Sequence, residues 1–518
     1  MRVVALVQLS LLLGDKISIK REKIMQTLGH FIDGRIVKGS DQKTSLIYDP
    51  AHGRAIRQVA LAQADDLDQA INSAKKAFPL WSAQPPAKRA RVFFNFKTLI
   101  EKDRDHLAAL VSEEHGKTLD DARGSIQRGL ELVEYVCGIP GLLKGDYSEN
   151  VGTQVDSYSL RQPLGICAGI APFNFPAMIP LWMFPMATAC GNTFILKPSE
   201  KVPSCAMRLA ELFFEAGAPA GVLNVLNGDR ETVDRLLTHE AIASISFVGS
   251  STVAEHVYKT GTQHGKRVQA FGSAKNHAVV MPDADLEQTA EALIGAAYGS
   301  SGQRCMAISV AVVVGEQRAD ELVAYLKPHI EELKIGSGAD QNTQIGPVIS
   351  QESRERIERY LEIAKEEGAT IAVGGRYVGP LEGFFVKPAL FDHVKPSMRI
   401  YREEIFGPTL CIVRVADYEQ ALALVNANEY GNGVAIFTQH GGIARDFAAR
   451  VQVGMVGINV PIPVPVAYHS FGGWKRSVFG DTRMHAETGI DFYTKTKTIT
   501  SRWPTTKTLR EFSIPTLV

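Results

Sequence analysis

The chain has 518 residues, 45% hydrophobic and 22% charged, enough to bury large cores and to divide into two or three domains. Lys plus Arg and Asp plus Glu are 56 each, so no excess charge points to nucleic acid or an anionic membrane surface, and a small-molecule substrate fits better. Six cysteines (Cys137, Cys167, Cys190, Cys205, Cys305 and Cys411) lack CxxC or Cys/His ligand spacing, which argues against a zinc site or a disulfide framework and for a reducing compartment.

Residues 1–14 hold a short apolar run behind one arginine, too short to span a bilayer. The basic stretch that follows offers a poor secretory cleavage site. Translation from Met25 is an alternative, and residues 1–27 are expected to form a poorly structured extension. From residue 64 to 116, apolar positions such as Ala70, Ala74 and Phe78 keep helical spacing, and residues 87–110 supply a second helix. Short apolar runs at 165–170, 193–196, 222–226 and 243–248 then alternate with helical segments, which predicts a parallel, doubly wound sheet. A second such series, at 308–314, 370–373, 410–415 and 454–460, predicts a second α/β domain with the ligand cleft between the two. The tail at 491–500 reads as a strand, an edge strand within the chain or one that pairs with another subunit.

Cys305 sits in Gly302-Gln303-Arg304-Cys305-Met306-Ala307. An isolated cysteine is ordinarily a small buried hydrophobe. Here Gly302 frees the backbone to bring the thiol into a cleft, and cationic Arg304 beside it would favour the thiolate, so a nucleophile is the alternative. The earlier stretch 268–277, with Phe271, Gly272 and Ser273, lacks a carboxylate where a water-activating base is expected.

Five ordered motifs carry a resemblance: Pro172-Phe173-Asn174-Phe175-Pro176, Lys197-Pro198-Ser199-Glu200, Phe247-Val248-Gly249-Ser250, residues 302–305, and Glu403-Glu404-Ile405-Phe406-Gly407-Pro408. With them the chain resembles the aldehyde dehydrogenase superfamily over roughly residues 28–505. Ala274-Lys275-Asn276-His277 and Arg304-Cys305-Met306-Ala307 look most like its CoA-acylating methylmalonate-semialdehyde dehydrogenase branch.

The resemblance implies an α/β fold with a Rossmann-type NAD-binding domain, an α/β catalytic domain and a small oligomerisation strand region. Its implied boundaries are 28–150 for the N-terminal part of the NAD-binding domain with an oligomerisation segment, 151–280 for its remainder, 281–470 for the catalytic domain and 471–518 for a C-terminal return. Ser250 is placed on the pyrophosphate, at a helix N-terminus whose dipole favours anions, although the strand-turn-helix lacks a full GxGxxG and by itself is only a turn before a helix. Lys197 and Glu200 are placed on the adenosine ribose with Lys201 nearby; otherwise they form a solvated charge pair. Ala171, Phe173 and Gly272 line the cofactor cleft, Glu404 holds the nicotinamide ribose, and Phe406 packs beside it or is a core residue.

In mechanism, the resemblance makes Cys305 the nucleophile on an aldehyde carbonyl and Asn174 an oxyanion donor, where a turn cap is the alternative. Phe271 stands where hydrolytic relatives carry a glutamate, so water loses its base and a thiol such as coenzyme A takes the acyl group. Arg304 and Arg128, the latter on a helix that would line the substrate tunnel, suit a carboxylate at the far end of a semialdehyde. Arg128 is otherwise an exposed helix charge. The implied reaction is oxidation of methylmalonate or malonate semialdehyde with decarboxylation to propionyl-CoA or acetyl-CoA, in a cytoplasmic homotetramer. A hydrolytic aldehyde dehydrogenase with another base, giving a free acid, and a non-catalytic binding protein of the same fold are the competing readings.

Overall fold

The computed structural model describes residues 25–503, so the expectations for the first 24 residues and for the end of the chain past 503 lie outside the described residues. Where the apolar runs are continuous the strands are covered on both faces. Ile166–Ile170, Thr193–Lys197 and Asn276–Val280 are buried at every position, as central parallel strands require.

Eight strands make the first sheet, in the order Val478–Phe479, Arg267–Phe271, Ile242–Val248, Ile166–Ile170, Thr193–Lys197, Leu223–Val225, His30–Ile32 and Arg35–Val37. The five from Arg267–Phe271 to Leu223–Val225 run parallel. Chain order proceeds outward in both directions from Ile166–Ile170, which creates a switch point between that strand and Ile242–Val248. A crevice opens at the carboxyl ends of strands at such a point, because the helices that follow leave on opposite faces.

The second sheet runs Thr370–Val373, Ala389–Asp392, Thr409–Val415, Ile308–Val314, Asn276–Val280, Gly433–Phe437 and Met455–Ile458, parallel except for its first strand. The change of sheet therefore falls at residues 272–275. The expected boundary at 280 is too late, because Asn276–Val280 is an interior strand of the second sheet, between Ile308–Val314 and Gly433–Phe437. Apolar composition suits either sheet, and the partners that decide it, Ile308–Val314 and Gly433–Phe437, lie far along the chain.

The tail also differs from expectation. Residues 491–493 finish the helix Ala486–Tyr493, which buries Gly489, Ile490, Phe492 and Tyr493, and the strand is Thr494–Arg502. That strand pairs antiparallel with Val155–Pro163 of the same chain, at the edge of a three-stranded sheet with Tyr147–Gly152.

Two features of the helical layer position the site. The helix Met178–Ala189 is buried on every side, as an apolar sequence without a polar face demands. Against it packs Leu119–Cys137, which Thr118 caps by accepting from the Asp121 N–H. On this second helix Asp121, Gly124, Ser125 and Arg128 are spaced by three and four residues, so they share one face. No helix among the described residues is long and apolar enough to cross a membrane.

Candidate active site

Cys305 follows the 3-10 turn Gly299–Gly302 and precedes the strand Ile308–Val314, where the turn Ser300-Ser301-Gly302 is left-handed throughout, with φ of 54°, 53° and 70°. Two serines in that region store backbone strain next to the nucleophile. Gly302 has no alternative: a Cβ there would lie 1.9 Å from the Gly407 carbonyl oxygen, so the turn carrying Cys305 presses directly on the turn carrying Glu404 and Phe406. The Cys305 carbonyl is clamped by two side-chain amides, Asn276 donating at 2.9 Å and Asn432 at 3.2 Å. Neither clamp was found in sequence, since Asn432 is 127 residues away.

The half-buried Cys305 is a wall shared by two spaces. On one side lies a cavity of about 370 Å³ lined by Arg128, Phe175, Trp182, Ile462 and Phe471. On the other lies a narrow crevice lined by Ala274, Glu404 and Phe406. Asn174 is buried behind the thiol loop and donates to the Gln303 carbonyl at 3.0 Å. A side-chain amide has two N–H groups, so this bond orients the group and leaves the second for another acceptor.

Burial pushes the Cys305 thiol up to about 12, and Glu404 adds to the rise; the Cys305 and Met306 N–H groups and the Lys117 ammonium oppose it. The adjacent Arg304, expected to favour the thiolate, is committed elsewhere. It donates to Asp121 at 2.6 Å, and its guanidinium rests on Gly299, where a Cβ would meet it at 2.6 Å. Arg128 reaches the cavity wall while donating to Glu131 at 2.6 Å and to the Val464 and Pro465 carbonyls at 3.0 and 2.7 Å.

Phe271 is buried on the strand Arg267–Phe271, its ring 6.0 Å from that of the cavity-lining Phe471. Ser273 joins the two halves of the site. Its hydroxyl accepts from the Ser251 N–H at 3.1 Å and lies near enough to the Glu404 carboxyl to oppose the rise of its pKa. Lys275, which the sequence offered only as a motif letter, is buried and donates to the Ile400 and Glu403 carbonyls at 2.8 and 2.7 Å, fixing the Glu404 loop.

The switch-point crevice gathers the remaining residues. Ala171 directly follows Ile166–Ile170 and donates its N–H to Lys197 at 3.0 Å. Phe173 stacks on His115 and meets Phe406 edge-on, with centroids 6.0 and 5.9 Å apart. Phe406 itself is left-handed at φ 55°. Lys197 pairs with Glu200 at 3.1 Å at the end of the next strand, and Glu200 and Lys201 line a surface hollow of about 570 Å³. Ser250 is exposed at the N-terminus of Ser251–Gln263 and its side chain makes no capping bond, so that helix end still has donors for an anion. Gly272 donates to the Ser477 carbonyl at 2.8 Å, and a Cβ on it would meet the Ser251 hydroxyl at 2.5 Å. Glu404 accepts from the Ala274 N–H at 3.0 Å, and burial raises its carboxyl above the usual range. A lysine–glutamate pair at a strand end, an uncapped helix N-terminus and a carboxyl beside the thiol make a donor and acceptor set that could hold a dinucleotide.

A thiol between a cavity and a Rossmann-type crevice sets a candidate nucleophile beside a site suited to a dinucleotide, an arrangement that fits a nucleotide-dependent oxidoreductase. The chain belongs to the aldehyde dehydrogenase family, whose model matches residues 36–499. It is 53% identical over 498 residues to a malonate-semialdehyde dehydrogenase of Pseudomonas aeruginosa, covering 95% of this chain and all of that protein. It is 55% identical, with a TM-score of 0.92, to a Sinorhizobium meliloti protein assigned as a methylmalonate-semialdehyde dehydrogenase and solved with NAD, covering 94% of this chain and 99% of that one. A methylmalonate-semialdehyde dehydrogenase of Oceanimonas doudoroffii is 52% identical with the same TM-score, over 93% of this chain and 99% of that one.

Proposed function

We propose that the protein oxidises methylmalonate or malonate semialdehyde and passes the acyl group to coenzyme A, with loss of CO2, to give propionyl-CoA or acetyl-CoA. The observation that carries this reading is that, among the described residues lining the spaces on either side of Cys305, no carboxylate is left free to activate water at the thioester. Phe271 packs on Phe471, Asp121 is bound to Arg304, and Glu404 is turned to the Ala274 N–H. A thiol acceptor is already partly ionised near neutral pH and needs less help than water.

Cys305 attacks the aldehyde carbon and forms a thiohemiacetal, with Asn174 and the Cys305 N–H placed as donors to its oxyanion. Losing one such donor costs about 2.7–4 kcal/mol in comparable sites. NAD, when bound, supplies the hydride acceptor. Lys197, Glu200 and Lys201 would hold its adenosine ribose, Ser250 its phosphates, Glu404 its second ribose, and Ala171, Phe173, Gly272 and Phe406 the walls around it. Arg128, with Arg304, offers guanidinium N–H groups to the substrate carboxylate. Loss of hydride from the thiohemiacetal carbon leaves a Cys305 thioester; its carboxylate group departs as CO2 while the adjacent carbon takes up a proton, and the CoA thiolate bonds the acyl carbon as the Cys305 C–S bond breaks and releases the thiolate.

The same reading extends to a homotetramer in the cytoplasm. It is supported by the edge position of Thr494–Arg502 and by six free cysteines. The test is NADH formation from each semialdehyde with and without CoA, followed by product analysis. CoA-dependent formation of acetyl-CoA and propionyl-CoA is the expected result; CoA-independent formation of a free acid would replace this reading with the hydrolytic one.

A further inference from the structure

Lys117 lies in the turn between the helices Pro86–His115 and Leu119–Cys137, after Gly116 ends the first of them at φ 92°. Its ammonium is fully buried and makes no hydrogen bond among the described residues. It sits 4.2 Å from the centre of the Phe175 ring and 3.6 Å from the Asp121 carboxylate. Phe175 and Asp121 both line the cavity that Cys305 closes. A buried ammonium without full pairing is costly, so a counter-charge is expected close by.

The charge count around it is incomplete. Among the described residues, Asp121 is the one carboxylate paired with both Lys117 and Arg304. His115, packed beside them, is fully buried and held neutral, its pKa driven well below the ordinary value by burial and then by Lys117. Glu404 faces the thiol from the cofactor side and favours its neutral form. Lys117 is thus left to share Asp121 with Arg304, and Cys305, next to Arg304 on the wall of the cavity that Asp121 and Phe175 line, is the group whose thiolate the Lys117 charge favours.

We propose that Lys117 is the positioning residue that supports the Cys305 thiolate, and that Asp121 sets how much of its charge reaches the sulfur. The assignment rests on Cys305 being the nucleophile. It explains why Arg304, though next in sequence, is bound to Asp121: the guanidinium is part of the cluster that keeps Asp121 ionised. Burial alone would raise the Asp121 carboxyl, but Lys117 and Arg304 outweigh it and hold it well below the usual range.

The test is the pH dependence of Cys305 alkylation by iodoacetamide in the cofactor-free enzyme, followed by mass spectrometry of the Cys305 peptide, in wild type, Lys117→Met and Asp121→Asn. The expected midpoint moves up by about one unit in Lys117→Met, a tenfold slower reaction on the rising limb, and down in Asp121→Asn. Unchanged midpoints in both variants, with only melting temperature altered, would overturn the proposal and leave Lys117 a packing residue. Shifts in the same direction would overturn it as well, since a collapsed cavity acts alike in both. If Lys117→Met does not fold, Asp121→Asn decides alone: a lower midpoint supports the proposal and an unchanged one overturns it. Alkylation requires neither substrate nor CoA, so failure here is separable from failure of the semialdehyde assignment.

Discussion

The side-chain amide of Asn276 donates to the Cys305 carbonyl at 2.9 Å and to the Ala307 carbonyl at 3.0 Å, while its oxygen accepts from the Gly433 N–H at 3.1 Å. One residue at the start of a central strand thereby ties the nucleophile turn to the neighbouring strand Gly433–Phe437. Asn276→Ala takes this partner from the Ala307 carbonyl and the Gly433 N–H, at about 1–3 kcal/mol each, while Asn432 still holds the Cys305 carbonyl. The expected outcome is a fall in kcat with little change in KM for NAD, together with a lower Tm, read by steady-state kinetics and calorimetry.

Gly302→Ala sets a methyl group against the Gly407 carbonyl at 1.9 Å and a side chain into φ 70°. The turns of Cys305 and Glu404 must then separate. We expect turnover to be lost and iodoacetamide labelling of Cys305 to change, even where circular dichroism is preserved.

Arg128→Gln removes a cation from the cavity wall while keeping a donor. A charge-assisted bond contributes about 1.5–3 kcal/mol, so kcat/KM for malonate semialdehyde should fall by about 10- to 100-fold. Oxidation of propionaldehyde, which has no carboxylate, should change little. Equal losses on both substrates would remove Arg128 from carboxylate binding.

Phe271→Glu restores a carboxylate where the family's hydrolytic members carry one. The position is buried, so lower stability is expected from the buried charge. Product analysis should find free acid formed without CoA. Continued strict dependence on CoA would show that more than the missing base governs the acceptor.

His485 gives a pH dependence of stability. Burial, with Arg128 adding to it, pushes its imidazole down from 6.5 to about 3, and neither ring nitrogen has a partner among the described residues. The unfolded chain therefore binds this proton more readily than the folded one. Stability is complete above the unfolded value and is lost as pH falls from about 6.5 toward 3, at about 1.4 kcal/mol for each unit. His485→Asn should flatten the fall of Tm between pH 6 and 4; an unchanged slope would assign the acid sensitivity to other groups.

Residues 165–170, 193–196 and 308–314 were legible as strands because parallel strands buried on both faces leave continuous apolar runs. The motifs around Asn174, Lys197, Ser250, Cys305 and Glu404 were legible because each is a short local turn with its own residue signature. The tail was read wrongly at residues 491–493, where the aromatic Phe492 and Tyr493 suit a strand by composition but are the buried end of the helix Ala486–Tyr493. Sheet membership of Asn276–Val280 was equally ambiguous, since it depends on pairing with strands distant in sequence.

The sequence by itself determined the two-sheet α/β class through its local patterns and, through its family resemblance, pointed to Cys305 as nucleophile and to a missing base at Phe271. Only the tertiary structure decided which charges face the thiol. Arg304 is its chain neighbour yet is bound to Asp121, whereas Lys117 comes from the distant turn between the helices Pro86–His115 and Leu119–Cys137. Coulombic interaction depends on distance and burial in space, and neither is written in the order of the chain.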